Sequence, residues 1–420
     1  MSKIKIILYA IIIICSYDIC GATFKENINF KEIKFSEDGK NETNFTIGNI
    51  KFSKEFMYTN FPRTNNTLNA TFTFRNISRK DNVFLPYPNS IINTKGNCER
   101  LISVISFEID DEDNLYILDE GKFNNSKICT PKLIIINNEN NKTYILEKLP
   151  ENIQLEDILI DKINKYIYIS YHDYNNVNGI FVMHNDSYRI NNTIKNLLYN
   201  DTTLKEEKGY EIYLNGKDLL PEGKRKIKSM GLSCDGQAFY YSFITSKKIY
   251  SILTKEIYNE YAKDDINDIK NVKIYEAYKN DSTSAIIYSN MGNLFLTGLE
   301  KNKIYRYDLI DNDLSRFDYK GLRELDYVGD IIFPEKMTFF DGAIYLLTNQ
   351  FNSKNYKNYT IYKDDDIQEK SYMYGCAGLK YQFNLSFYVM LGIFLIILLF
   401  VLTFVIAGNI QDKDINKKNN

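Results

Sequence analysis

The middle of the chain repeats one pattern. A short apolar strand ends in a polar turn carrying Asp, Asn or Gly, and a second strand opens on an apolar residue and an aromatic. It reads VISFEIDDEDNLYILDEG over 104–121 and EDILIDKINKYIYISYHD over 156–173. It returns as KSMGLSCDGQAFYYSF from Lys228, STSAIIYSNMGNLFLTG from Ser282 and FPEKMTFFDGAIYLLTNQF from Phe333. The second-strand aromatic falls at Tyr116, Tyr168, Tyr240, Phe295 and Tyr345, and a weaker copy surrounds Phe56, Met57 and Tyr58. Successive copies lie about 50–58 residues apart, except for one interval of about 72 that contains the polar stretch 191–226, read as an insertion. Third strands are expected at 131–136, 179–183, 248–253, 303–309 and 359–362, each behind turn residues. Strand–turn–strand units repeated every ~40–50 residues mark propeller blades. No such unit buries both faces alone, so six copies predict an all-β, six-bladed β-propeller closed into a ring. A β-sandwich is the rival, but its strands do not recur as a ~50-residue motif.

Two apolar runs flank the repeats. Lys3 and Lys5 precede an apolar stretch at 6–15, and Cys20, Gly21 and Ala22 follow. That order predicts a cleaved signal peptide over 1–22, too short to span a bilayer. The second run, 387–407, contains no charged residue. Its length of ~21 residues reaches ~31 Å as a helix, so it predicts one transmembrane helix. A charged tail follows it, which a GPI signal would lack. The expected domains are an ectodomain over 23–372, a juxtamembrane linker over 373–386, the span, and a cytoplasmic tail over 408–420. This is a single-pass type I arrangement that places the body at the cell surface or in a lumen. Lys413, Lys417 and Lys418 sit on the inner side, as the positive-inside rule expects.

Composition narrows the partners. Net charge is −2 and the isoelectric point is near 6.0, which leaves no basic footprint for nucleic acid. Sequons begin at Asn41, Asn44, Asn65, Asn69, Asn76, Asn124, Asn141, Asn185, Asn191, Asn200, Asn280, Asn358 and Asn384. All but the last, which is too near the membrane, are expected glycosylation sites of a secreted body. Four cysteines survive signal removal: Cys98, Cys129, Cys234 and Cys376. An even count outside the cell reads as disulfides. A Cys98–Cys129 bridge would close about 31 residues and contribute ~3–4 kcal/mol on the chain-entropy model. Cys234 and Cys376 either form a second pair or remain two separate thiols. No CxxC or Cys/His cluster suggests zinc, and no metal is expected.

The ordered set of motifs resembles the Yellow / major royal jelly protein family over about 56–351. FLPYPN at 84–89 looks like that family's Pro-Tyr-Pro segment. Cys98, LISVISFEIDDEDNLYILDEGK and CTPKLIIIN from Cys129 look like its stretch from first to second cysteine. LPENIQLEDILID, DGQAFYYSFITSKKIYSI, STSAIIYSNMGNLFLTGL and LTNQF follow in the family's order. The resemblance implies a six-bladed propeller and a Cys98–Cys129 disulfide. It also implies a secreted protein, in some members a binder of biogenic amines in the central channel, in others a protein tied to dopachrome conversion. The chain departs from the family in its C-terminal span, its lack of tryptophan, and Cys234 where a proline is common.

In a propeller, innermost strands and the loops at one mouth line the channel, where ligand sites form. Asn349 and Phe351 match the family's Asn-x-aromatic segment, and an amide with a ring suits an aromatic amine. Asp119, Glu120 and Asp173 end second strands, where a carboxylate would favour a cationic amine or divalent ion. Asp157, Ser229, Ser284 and Lys336 are further channel candidates. His172 adjoins Asp173, but neighbours on a strand point to opposite faces, which argues against an acid–base pair; His184 is the other histidine. The primary expectation is a membrane-anchored module binding a small ligand, an aromatic amine by resemblance, or a partner at the channel mouth. One alternative is an enzyme of dopachrome-conversion or calcium-dependent lactonase type, which alone would call for calcium. The other is a glycosylated adhesion or scaffold protein without a small ligand.

Overall fold

The structure, a computed structural model, describes residues 24–364 apart from 64–67, 80, 125, 138–141, 186–192, 206–212, 215–216, 219–226, 228, 264–267, 280, 309–321, 326–332 and 352–356. The chain divides into two compact units, 1–375 and 376–420. The expected signal (1–22) and span (387–407) lie outside the described residues, and among those residues no helix is long and apolar enough to cross a membrane.

Six sheets form the ring, antiparallel except for one parallel pair at the rim of the third (Lys195–Leu197 with Asp268–Ile269), and each reads outward from the axis in sequence order apart from the outermost strand of the sixth. Their innermost strands are Ile50–Ser53, Val104–Ile109, Ile153–Asp161, Ser229–Leu232, Ile286–Tyr288 and Pro334–Phe340. Each touches the next and the sixth touches the first, so the six-bladed propeller closes. The six repeat aromatics all fall in second strands, as expected: Tyr58 in Phe56–Asn60, Tyr116 in Leu115–Asp119, Tyr168 in Tyr166–Asp173, Tyr240 in Ala238–Ser242, Phe295 in Asn293–Gly298 and Tyr345 in Ala343–Phe351. Third strands fall within two residues of expectation at each end: Lys132–Asn137, Asn178–His184, Lys248–Leu253, Lys303–Asp308 and Lys357–Asp364.

Two features were not anticipated. The outer strand of the sixth blade is Lys25–Phe30, from the start of the described chain, paired with Lys357–Asp364. The ring is thus closed by joining the two ends of the propeller. The segment KENINF has too little alternation to announce itself as a strand. A helix, α1 (Thr254–Tyr261), joins the third and fourth strands of the fourth blade and buries Ile257.

Buried apolar residues cluster between blades, because a strand pair exposes two faces and only a neighbour covers them. The repeat aromatics fill these seams. Tyr345 packs on Phe52 of the first blade at 4.4 Å between ring centroids, and Tyr168 on Phe239 at 4.6 Å. Tyr240 stacks on Tyr288 at 5.8 Å, and Phe295 meets Phe339 edge-on at 5.6 Å. Such pairs contribute ~0.5–1.5 kcal/mol beyond their buried area. On the face of the first-to-second strand turns, polar hooks lock neighbours. Lys54 pairs with Asp113 at 2.7 Å, and Asn164 Nδ2 donates to the Gly236 carbonyl at 3.0 Å.

The opposite face carries the disulfide Cys98–Cys129. Gly121 (φ +69°) makes that loop possible, since a Cβ there would lie 2.2 Å from the Cys129 carbonyl oxygen. Cys234 is also disulfide-bonded, with its partner outside the described residues.

Candidate functional site

The innermost strands have a defect that builds the site. The register of the second, third and sixth shifts by one residue, between Val104 and Ser106, Leu155 and Asp157, and Pro334 and Lys336. A bulge of this kind re-aims the side chain that follows it. The three re-aimed residues meet. Ser106 Oγ donates to Asp157 Oδ1 at 2.6 Å, and Lys336 Nζ donates to Asp157 Oδ2 at 2.9 Å. The third and sixth blades are three steps apart in a ring of six, so the Lys336–Asp157 ion pair crosses the bore.

Register places one residue of each blade at this level: Asn49, Ser106, Asp157, Ser229, Ala285 and Lys336. Asn49 Nδ2 donates to the Phe107 carbonyl at 3.1 Å. One tier deeper, Lys51 Nζ pairs with Glu108 Oε2 at 2.7 Å. Burial pushes the Glu108 carboxyl above the ordinary carboxylate range, against the pull of the Lys51 ammonium. Between the two pairs remains a cavity of about 50 Å³. Ser229 and Tyr288, both fully buried, are among its lining residues, and their hydroxyls have no hydrogen-bond partner.

The expected site residues separate into groups. Asp157 and Lys336 meet at the axis. Ser284 falls one residue short of the belt; its Oγ donates to the Pro334 carbonyl at 2.7 Å and ties the fifth blade to the sixth. Asn349 is buried at the end of its strand, with Nδ2 donating to Tyr359 Oη at 3.5 Å and its Oδ1 unsatisfied. Phe351 pairs through its backbone with Lys357.

Asp119 is consumed elsewhere. It accepts from the backbone N–H groups of Ile102 (2.8 Å), Ser103 (2.8 Å) and Gly121 (3.0 Å) and from Lys132 Nζ (2.8 Å). Glu120 pairs with Lys122 at 2.8 Å. Asp173 closes its turn through the N–H groups of Asn175 and Val177 and accepts from Tyr199 Oη at 3.0 Å. Asp119 thus has all four acceptor positions taken, while Glu120 and Asp173 are engaged by a neighbouring lysine and by their own turn. His172 and Asp173 do diverge: His172 Nδ1 lies 3.3 Å from Glu156 Oε1, the bulged residue of the third blade. His184 sits edge-on to the Tyr166 ring.

Exposure of the sequons is uneven. Asn41, Asn44, Asn69, Asn124 and Asn200 are exposed, and Asn76 is half-buried. The Asn185 amide donates to Tyr116 Oη at 3.1 Å. Asn65, Asn141, Asn191, Asn280 and Asn384 lie outside the described residues.

The fold and axis define a class, a six-bladed disulfide-bonded propeller with a bore crossed by one ion pair. The profile of the major royal jelly protein family matches residues 102–369, and the chain belongs to that family. It is 25% identical over 177 residues to major royal jelly protein 9 of Apis mellifera, 41% of each chain. It is 25% identical over 228 residues to major royal jelly protein 7 of the same species, 52% of this chain and 49% of that one. The chain thus spans about half or less of the curated relatives it matches. Among solved structures it is similar to a luciferin-regenerating enzyme (10% identity, TM-score 0.45, 83% of this chain and 94% of that one). It is also similar to the calcium-binding protein regucalcin of Agrobacterium tumefaciens (8% identity, TM-score 0.45, 78% and 93%).

Proposed function

We propose that this chain is a non-catalytic interaction scaffold of the secretory pathway, whose axial channel is closed to biogenic amines by its own side chains. The observation that carries this reading is the Lys336–Asp157 pair across the bore, with only about 50 Å³ left beside it. Pockets for drug-sized ligands measure ~300–1,000 Å³. The cavity suits a few waters instead, at ~10–15 Å³ each by the same kind of measure. A calcium-dependent lactonase needs several oxygen ligands free to converge on one ion. Here Asp157 and Glu108 each bind a lysine ammonium. The disulfide supports an oxidising compartment. Delivery by the segment 1–22, anchorage by 387–407 and glycans on the exposed sequons complete the proposal.

A second reading keeps a small amine at the mouth and is favoured by the unpartnered hydroxyls of Ser229 and Tyr288. Calorimetry and thermal shift of the wild-type chain with dopamine, serotonin and calcium decide between them. The scaffold reading expects no heat and no shift; saturable heat with either amine would replace it by the second reading.

A further inference from the structure

We infer that the three bulges build a binding site for a small primary ammonium ion, and that in the folded chain this site is filled by the ammonium of Lys336. The inference goes beyond the scaffold reading, which concerns what wild-type protein binds from solution.

Three observations carry it. Asp157, a carboxylate with 14% side-chain exposure, is held in the bore by Ser106 and takes the Lys336 ammonium at 2.9 Å from the opposite blade. That ammonium belongs to a side chain in no sequence proximity to its acceptor, so it sits as a ligand on a tether. The site also has unused capacity: Ser229, fully buried, is among the residues lining the same cavity, and its unpartnered Oγ is a further acceptor for an N–H. Finally, among the described residues that line the cavity, two lysines face two carboxyl groups. Lys51 pairs with Glu108 and Lys336 with Asp157; without Lys336, Asp157 loses its ion pair, and a buried charge demands a partner. A cation with N–H donors answers this demand, whereas a quaternary ammonium offers no hydrogen to Asp157.

The experiment is chemical rescue in the full chain. Lys336→Ala removes everything beyond Cβ, and the missing piece is n-propylammonium. Thermal unfolding is followed for wild type, Lys336→Ala and the double variant Lys336→Ala/Asp157→Asn in propylammonium, tetramethylammonium or sodium chloride at equal concentration. Propylammonium at about ten times its dissociation constant is expected to raise the midpoint of Lys336→Ala by roughly 2–4 °C over sodium. Tetramethylammonium should not, and neither wild type nor the double variant should respond. An equal rise in all three proteins, or none in Lys336→Ala, overturns the inference. If Lys336→Ala does not fold unaided, refolding with propylammonium replaces the melt: recovery specific to that cation supports the site, and no recovery in any salt overturns it. Because the scaffold reading is tested by amine binding to wild type, either can fail without the other.

Discussion

Two Asp–Lys pairs of nearly equal length sit about the second blade and the bore, and they do different work. Asp119–Lys132 is 2.8 Å long with Asp119 fully buried; Asp157–Lys336 is 2.9 Å long with both side chains just over a tenth exposed. Around Asp119 every acceptor position is taken, by three backbone N–H groups and a lysine. Beside it Arg63 donates to the carbonyls of Leu68 (2.7 Å) and Asn93 (3.0 Å), and burial holds its guanidinium down at about 10. This hub is finished: it fastens the loops beside the disulfide and has nothing left to offer. Around Asp157 there is one hydroxyl, one lysine from the far side of the ring, and a cavity with idle donors and acceptors. Charge type and distance do not separate a fastener from a site; the number of satisfied partners does.

The contrast can be broken at its strong end. Asp119→Ala strands Lys132 and three N–H groups in a dry environment, so a loss of about 3–5 kcal/mol is expected in urea unfolding. A loss below ~1 kcal/mol would mean that water replaces the carboxylate and that the hub is not closed. The double variant Cys98→Ser/Cys129→Ser should follow with about 3–4 kcal/mol, since it frees a loop of 31 residues in the unfolded chain. The axial pair should be weaker. Lys336→Met alone is expected to cost about 2 kcal/mol, while Lys336→Met/Asp157→Asn, which removes both charges, should return to within ~1 kcal/mol of wild type. Equal losses for the single and double variants would show that the pair contributes through packing and not through charge.

How much of this was legible in the sequence follows from what sets each feature. The ring was legible because the seam aromatics recur with the blade, from Tyr58 to Tyr345, and packing demands one per seam. The closing strand Lys25–Phe30 was not, since its partner is more than 300 residues away. At the axis, Asp157, Ser229 and Lys336 were recognised, but Asn49 and Ser106 were missed although they occupy the same column. That column lies opposite the residue two beyond each repeat aromatic: Asn60, Leu118, Ser170, Ser242, Thr297 and Leu347. Counting across a hairpin requires the bulges, which displace the pairing by one in three blades, and a bulge leaves no clear mark in composition. Asp119, Glu120 and Asp173 were read as site acids because a strand end near a mouth is also where turns need carboxylates.

The smallest expected effect concerns pH and distinguishes the bore from the hub once more. Burial is the leading cause that raises the carboxyls of Glu108, Asp110, Asp161, Asp281 and Glu300 above their ordinary values of 3.8 or 4.5. A carboxyl whose pKa is higher folded than unfolded binds more protons in the folded state between those two values. Stability therefore falls as pH rises through that window and is greatest at its acidic side. Asp81, held below the ordinary range by Arg79, acts in the opposite sense, but it is exposed and its effect is screened. The chain should thus melt higher near pH 5 than at pH 7. Glu108 is the member of this group that lines the bore, where it pairs with Lys51. Glu108→Gln should lower the stability at pH 5, where the Lys51 contact is partly lost, yet flatten the fall between pH 5 and 7. A slope unchanged from wild type would mean that Glu108 keeps its charge across the window, and that the lower ion pair is as finished as the Asp119 hub.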